Sequence, residues 1–254
     1  MAAFRFIHCS DLHLDTPFSG LSTVRPELKE KLRNATFQAF RNVVNLALEE
    51  RVDAVIVAGD VYDAEDRSLQ AQIKFRRELK KLSDAGIPVF VAHGNHDPLD
   101  GWSASIEHPE NVAVFGGKQV EMVPVIRNGS PLACIYGISF PHKRVTDNLA
   151  QGFKRDQPSG FAIGVLHANV GGDPGYENYA PCKIEHLLGA GMDYWALGHI
   201  HARRILRDQE PAIVYCGNTQ ARSYKEHGEK GCYLVTLDDN RPPDIRFTAA
   251  DVIR

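Results

Sequence analysis

Residues 53–63 read Asp-Ala-Val-Ile-Val-Ala-Gly-Asp-Val-Tyr-Asp, and the break between an apolar run and a polar motif decides how the rest is read. Ala54–Ala58 is short, apolar throughout and partly β-branched, which suits a strand buried on both faces better than a helix. Gly59 allows a tight backbone turn, so Asp60 and Asp63 fall just past the strand end. The same unit recurs on either side. Upstream, FRFIH (4–8) leads into CSDLHLD (9–15); downstream, PVFVA (88–92) leads into HGNHD (93–97). Farther on, FAIGVL (161–166) leads into HANV (167–170) and YWAL (194–197) into GHIH (198–201). Open α/β sheets bind ligands beyond the carboxyl ends of their strands, so these polar motifs are expected to converge on one cleft.

Between the first two runs, Leu28, Leu32, Ala35, Ala39, Val43 and Leu46 recur at spacings of three and four, predicting an amphipathic helix over Pro26–Glu50. Pro26 fits its first turn. Leu69, Ile73, Leu79 and Leu82 predict a second helix over Ser68–Asp84, which Ala85-Gly86-Ile87-Pro88 would end. Further strands are expected at VAVFG (112–116), LACIYGISF (132–140), AIVYCG (212–217) and GCYLVTL (231–237), with a short helix near Lys183–Leu188. No repeat, low-complexity tract or linker divides the chain, so a single domain over 1–254 is expected.

Composition narrows the function classes. At 43% hydrophobic and 24% charged over 254 residues, the chain has material for a large core and is neither disordered nor fibrous. Its apolar runs fall far short of the roughly 20 residues of a membrane span, and MAAFRFIHCSD enters a strand directly, so neither anchor nor signal peptide is expected. The five cysteines are scattered without a CxxC pair. That fits free buried thiols in a reducing cytoplasm rather than a disulfide framework or a zinc knuckle. The net charge of −3 leaves any contact with nucleic acid to bound metals and local basic patches.

Taken singly, the motifs have bland readings. Asp11-Leu12-His13 suits a polar loop, Asp60 or Asp63 a cap or turn, Gly94-Asn95-His96-Asp97 a turn and His167 a hydrogen-bonded core residue. Gly198-His199-Ile200-His201 is less bland, because imidazoles two apart on an extended segment face the same way. The conjunction, each motif at a strand end, is poorly explained by accident. Carboxylates, imidazoles, one amide oxygen and no thiolate suit Mn²⁺, Fe²⁺ or Zn²⁺. Two dications carry more positive charge than Asp11 and Asp60 return, so such a site attracts phosphate. Paired metals clamp the attacking and leaving oxygens of a displacement and lower the pKa of bound water. Activity is expected to fall on acidification as protons compete for the ligands. GxSxG, GxxxxGK[ST] and GxGxxG are all missing, which leaves nucleophile-elbow, P-loop and dinucleotide chemistry unsupported.

The set D-x-H, GDxxD, GNHD, H and GHxH resembles that of the calcineurin-like metallophosphoesterase superfamily. The resemblance implies an α/β fold, a four-layer α/β/β/α sandwich with a dinuclear site at its edge. By motif, Asp60 would bridge two divalent metal ions. Asp11, His13 and His201 would complete one site, and Asn95, His167 and His199 the other. His96 would contact the scissile phosphate or protonate the leaving oxygen, with Asp63 orienting it. The strings SDLHLDTPFSG, ENYAPC, DYWALGHIHARRIL and CGNTQARSYKEHGEKGCYLV resemble the SbcD-type DNA-repair exonuclease branch, in its YhaO-like bacterial members. That implies Mn²⁺-favoured hydrolysis of DNA phosphodiesters, a homodimer and a coiled-coil ATPase partner. Members usually continue into a capping domain that grips DNA; the chain stops at Arg254, so the cap is expected to be missing. Arg203, Arg204 and Arg222, near Arg207 and Lys225, are candidates to bind substrate phosphates. The run Lys74, Arg76, Arg77, Lys80, Lys81 reads as a solvated helix face or a dimer contact. A phosphatase of smaller esters and a non-catalytic scaffold are the alternatives.

Overall fold

The apolar runs fold as strands and pair into two six-stranded sheets. The computed structural model describes residues 2–16, 26–63, 68–102, 104, 106–157 and 159–254, with helical side chains from Glu30 onward. Strand β1 (Phe4–Cys9), helix α1 (Pro26–Glu50), β2 (Ala54–Ala58), helix α2 (Leu69–Asp84) and β3 (Val89–Ala92) make the opening β-α-β-α-β unit, and β4 (Val112–Val114) pairs beyond β3. Their strands run parallel. Strand β11 (Gly231–Asp238) returns antiparallel beside β1, and β12 (Arg241–Ala249) pairs antiparallel with β11 at the sheet edge.

The second sheet contains β5 (Glu121–Arg127), β6 (Ser130–Gly137), β7 (Phe161–His167), β8 (Tyr194–Gly198), β9 (Arg204–Arg207) and β10 (Ala212–Tyr215), in the order β5-β6-β7-β8-β10-β9. Its four central strands are parallel, and both edge strands are antiparallel.

Alternation along each strand sorts side chains into three apolar layers. On β2, Val55 and Val57 pack against Phe40, Val43, Phe75 and Leu79 of the two helices. Ala54, Ile56 and Ala58 face Ile135, Ile163 and Ala196 of the other sheet. Beyond the second sheet, Tyr136, Leu166, Trp195 and Tyr215 pack under Phe153 and Leu187. The result is the expected α/β sandwich, but its fourth layer is thin. Among the described residues it holds the short helix α3 (Ile184–Leu188), a 3-10 turn over Leu149–Gly152 and loops.

Several expectations meet a different outcome. Helix α1 buries Leu32, Ala35, Ala39 and Val43 as expected; the side chain of Leu28 and residues 17–20 of the SDLHLDTPFSG string lie outside the described residues. Helix α2 is capped by Ser68, whose side chain accepts from the Ala71 N–H. However, Leu69 and Ile73 are about half exposed, at 50% and 52%. The buried stripe is Ala71, Phe75, Leu79 and Leu82, which keeps the expected Leu79 and Leu82 and is selected by Phe75 packing against the rings of Phe40 and Tyr62. Strands β5, β9 and β12 were not anticipated. All three lie at sheet edges, where one partner and a solvent face tolerate charges and Pro124, Pro242 or Pro243.

Candidate metal centre

The carboxyl ends of β1, β2, β3, β7 and β8 meet along one edge of the sandwich, and the backbone there is unusual. Asp11 (φ 50°), His13 (φ 43°), Asp60 (φ 52°) and His199 (φ 96°) occupy the left-handed region, which non-glycine residues rarely adopt and which concentrates at functional sites. This corrects the reason for convergence. His199 and His201 do not meet through the alternation of an extended segment, because the chain turns sharply at His199, as it also does at Asp11 and His13. Glycines let the turns approach one another. A Cβ on Gly198 would stand 1.8 Å from the Ala58 carbonyl oxygen, and one on Gly94 would stand 2.3 Å from Asp60 Oδ1.

All seven candidate ligands are brought together. His13 Nε2 lies 3.3 Å from His201 Nε2 and 3.8 Å from Asp60 Oδ2, and His201 Nε2 is 3.9 Å from Asp11 Oδ1. His167 Nε2 lies 3.3 Å from Asp60 Oδ2 and 3.1 Å from Asn95 Oδ1; the same amide oxygen is 3.2 Å from His199 Nδ1. Donor atoms of Asp11, His13 and His201, and of Asp11, Asp60 and His167, fall within 4.8 Å of one another.

The other ring nitrogens show which atoms face inward. His167 Nδ1 lies 3.0 Å from the Ala58 carbonyl, His199 Nε2 2.7 Å from the Glu177 carbonyl and His201 Nδ1 2.6 Å from Glu226 Oε1. Carbonyl and carboxylate oxygens only accept, so each of these nitrogens carries the proton. The inward nitrogens of neutral rings then present lone pairs to the lone pairs of Asn95, Asp11 and Asp60. Such a set is mutually repulsive until a positive charge sits among it, which is the chemistry of a divalent cation site with nitrogen and oxygen donors.

Protonation follows the same electrostatics. Burial lowers His13, and burial with the neighbouring charge of His167 lowers His199 to about 4. Burial works against a charge on His167, but the Asp60 carboxylate outweighs it and raises that ring to about 9. Burial also opposes ionisation of Asp60, yet the charge and hydrogen bond of His167 hold it well below the carboxylate range.

His96 stands at the rim, its side chain 35% exposed. Its backbone N–H donates to Asp60 Oδ1 at 2.9 Å, and its Nδ1 contacts Asp63 Oδ1. Burial pulls this ring down, but the Asp63 hydrogen bond and the nearby carboxylates leave it above its ordinary value. The three candidate arginines part company. Arg222 donates to His13 Nε2 at 2.9 Å and to Asp63 Oδ2 at 3.1 Å. Arg203 lies over the Phe247 ring and Arg204 pairs with Asp173, so the structure engages both away from the cluster.

Two supporting residues were not singled out by the sequence. Asp97 accepts from the Val61 N–H at 2.8 Å and the Gly94 N–H at 2.8 Å, tying the loop after β2 to that after β3. Glu226 lies in a loop remote from every metal motif, and its three-dimensional contact with His201 reveals it.

A family model described as calcineurin-like phosphoesterase matches residues 4–203, a stretch that includes every one of these motifs. The chain belongs to that family. It is 42% identical over 230 residues to an uncharacterized metallophosphoesterase, YhaO, of Bacillus subtilis, covering 91% of this chain and 56% of that protein. It is 26% identical to the DNA double-strand break repair protein Mre11 of Sulfurisphaera tokodaii, covering 95% of this chain and 62% of that one. The SbcD polypeptide of the nuclease SbcCD of Escherichia coli K12 is 27% identical, with 93% and 66% covered. These relatives support an SbcD-like branch of the phosphoesterase family. The chain spans about three-fifths of the length of the first two. Among solved structures, a dimetal phosphatase from Danio rerio aligns with a TM-score of 0.53 at 12% identity over 93% of both chains. TT1561 of Thermus thermophilus also reaches 0.53, at 14% identity over 98% of this chain and all of that one. Both likenesses concern the fold.

Proposed function

We propose that this phosphoesterase is a Mn²⁺-dependent DNA nuclease acting in DNA repair. The observation that carries the hydrolytic reading is the convergence of Asp11, His13, Asn95, His167, His199 and His201 around Asp60, with the backbone N–H of His96 donating to that same carboxylate. Asp11, His13 and His201 would hold one ion, Asn95, His167 and His199 the other, and Asp60 both. When bound, paired ions supply an activated water and withdraw charge from the phosphate. The chain's own groups do the rest. His96, with Nδ1 held by Asp63, would use Nε2 to donate a proton to the leaving oxygen or a hydrogen bond to the phosphate. Arg222 presents a guanidinium to phosphate oxygens in paired hydrogen bonds.

The choice of DNA rests on the similarity to Mre11 and to the SbcD polypeptide over more than nine-tenths of the chain. Donors without thiolate suit manganese, iron or zinc, and the resemblance to the SbcD-type branch supports manganese among them. A homodimer, a coiled-coil ATPase partner and a cytoplasmic location belong to the same proposal. Leu69 and Ile73 on α2 are exposed, as is Trp102 on the loop whose Ala104 N–H donates to Gln72 Oε1, and these apolar side chains support a dimer contact. No helix among the described residues is long and apolar enough to cross a membrane.

Hydrolysis of smaller phosphodiesters or phosphomonoesters is the second reading, favoured by the net charge of −3 and by the engagement of Arg203 and Arg204 elsewhere. Purified protein with Mn²⁺, offered linear duplex DNA, single-stranded DNA and a chromogenic phosphodiester, separates the two. Cleavage of DNA supports the nuclease; cleavage of the small ester alone supports the second reading. A metal-loaded protein that cleaves nothing would leave a scaffold.

A further inference from the structure

The candidate ligand histidines are not held alike. His167 and His199 hand their outer N–H to neutral backbone carbonyls, of Ala58 and Glu177. His13 Nδ1 stands 3.6 Å from Asp63 Oδ1, outside hydrogen-bond reach. His201 alone of the four hands its outer N–H to a carboxylate within hydrogen-bond distance, Glu226 Oε1 at 2.6 Å. A carboxylate there raises the basicity of the inward nitrogen and fixes the ring's rotation, which a neutral carbonyl does less strongly.

The second oxygen of Glu226 is also engaged. Oε2 accepts from Asn218 Nδ2 at 2.9 Å and from the Arg222 backbone N–H at 2.6 Å. The Arg222 side chain, in turn, reaches His13 Nε2 and Asp63 Oδ2. One carboxylate, only 19% exposed, therefore sets the orientation of a ligand histidine and the starting point of the arginine that would meet phosphate. Short local turns, the Glu226 N–H to Ser223 O among them, complete the loop that carries it.

We propose that Glu226 is a positioning residue for the metal position formed by Asp11, His13 and His201, and that it couples that position to Arg222. The proposal rests on the reading of the cluster as a metal centre. It makes the two positions unequal, because only one has a ligand histidine hydrogen-bonded to a supporting carboxylate. It also predicts that disturbing Glu226 affects metal affinity on one side and substrate grip together.

Calorimetric titration of the full chain with Mn²⁺ tests it. Wild type should bind two ions. In Glu226→Gln one step should weaken 10- to 100-fold while the other stays within twofold, and KM for the phosphodiester should rise. In Glu226→Ala, where a small carboxylate can enter the vacated space, added acetate should tighten the weakened step again; a merely structural defect would not respond. Circular dichroism of the metal-free variants checks that they are folded. Two binding steps in Glu226→Gln both within twofold of wild type would overturn the role of Glu226 alone. Wild type that binds no divalent ion would overturn the metal-centre reading and this proposal with it.

Discussion

His8 is fully buried on β1 and bridges the two sheets: its Nδ1 lies 3.0 Å from the Tyr194 hydroxyl and its Nε2 3.2 Å from the Leu197 carbonyl. The carbonyl can only accept, so Nε2 carries the proton and Nδ1 accepts from the tyrosine, which describes a neutral ring. Burial drives its pKa down to about 3, against smaller opposing effects of the Leu197 hydrogen bond and Asp11. Because the folded value lies below the ordinary 6.5, the unfolded chain takes up this proton first. The stabilisation is therefore whole above pH 6.5 and declines as pH falls from there toward 3. At pH 5 the unfolded state gains about 2 kcal/mol over the folded state from this residue alone. His8→Gln offers an amide that can serve both partners without titrating. Urea unfolding of both proteins in EDTA, at pH 7 and pH 5, isolates the effect, since every other titrating group is common to the two. Wild type should lose about 2 kcal/mol more than the variant across that interval. Equal losses would mean that His8 is not held neutral between the sheets, and would refute the reasoning.

Three further outcomes are expected. His96→Gln should keep both Mn²⁺ steps in calorimetry while kcat falls roughly 10²- to 10⁴-fold on DNA, with a smaller fall on a p-nitrophenyl ester, whose leaving group needs little protonation. Asp63→Asn removes the partner that raises His96; if the protonated ring is the active form, the alkaline limb of the pH–kcat profile should move to lower pH. Gly198→Ala drives a Cβ to within 1.8 Å of the Ala58 carbonyl oxygen and should cost about 3 kcal/mol. Gly228→Ala, with open space around it at φ +83°, should cost only about 1 kcal/mol; thermal melts compare them.

Much of the fold was legible because its signals are local. Ala54–Ala58 is buried on both faces, and a strand between two packed layers must be apolar at every position, so its sequence announces it. The edge strands β5, β9 and β12 have one neighbour and a wet face, and charged or proline-bearing sequences satisfy them equally well. On α2, two periodic stripes coexist, and only the position of Phe40 and Tyr62 selects the one through Phe75.

The candidate centre divides the same way. That Asp11, His13, Asp60, Asn95, His167, His199 and His201 would gather was readable from the chain alone, since each lies at or just past a strand end and the ends of parallel strands share an edge. What the sequence could not determine is how they gather and what holds them. The left-handed turns at Asp11, His13, Asp60 and His199 are braced across the sequence: the Asp11 and His13 N–H groups donate to the Gly59 and Asp60 carbonyls, the His199 N–H donates to Asp11, and Asp97 ties the loop after β2 to that after β3. The hydrogen bonds of Glu226 to His201 and of Arg222 to His13 join residues 25 and 209 positions apart. Contacts across such separations obey no periodicity; they exist only once both sheets are packed, and tertiary structure alone decides them.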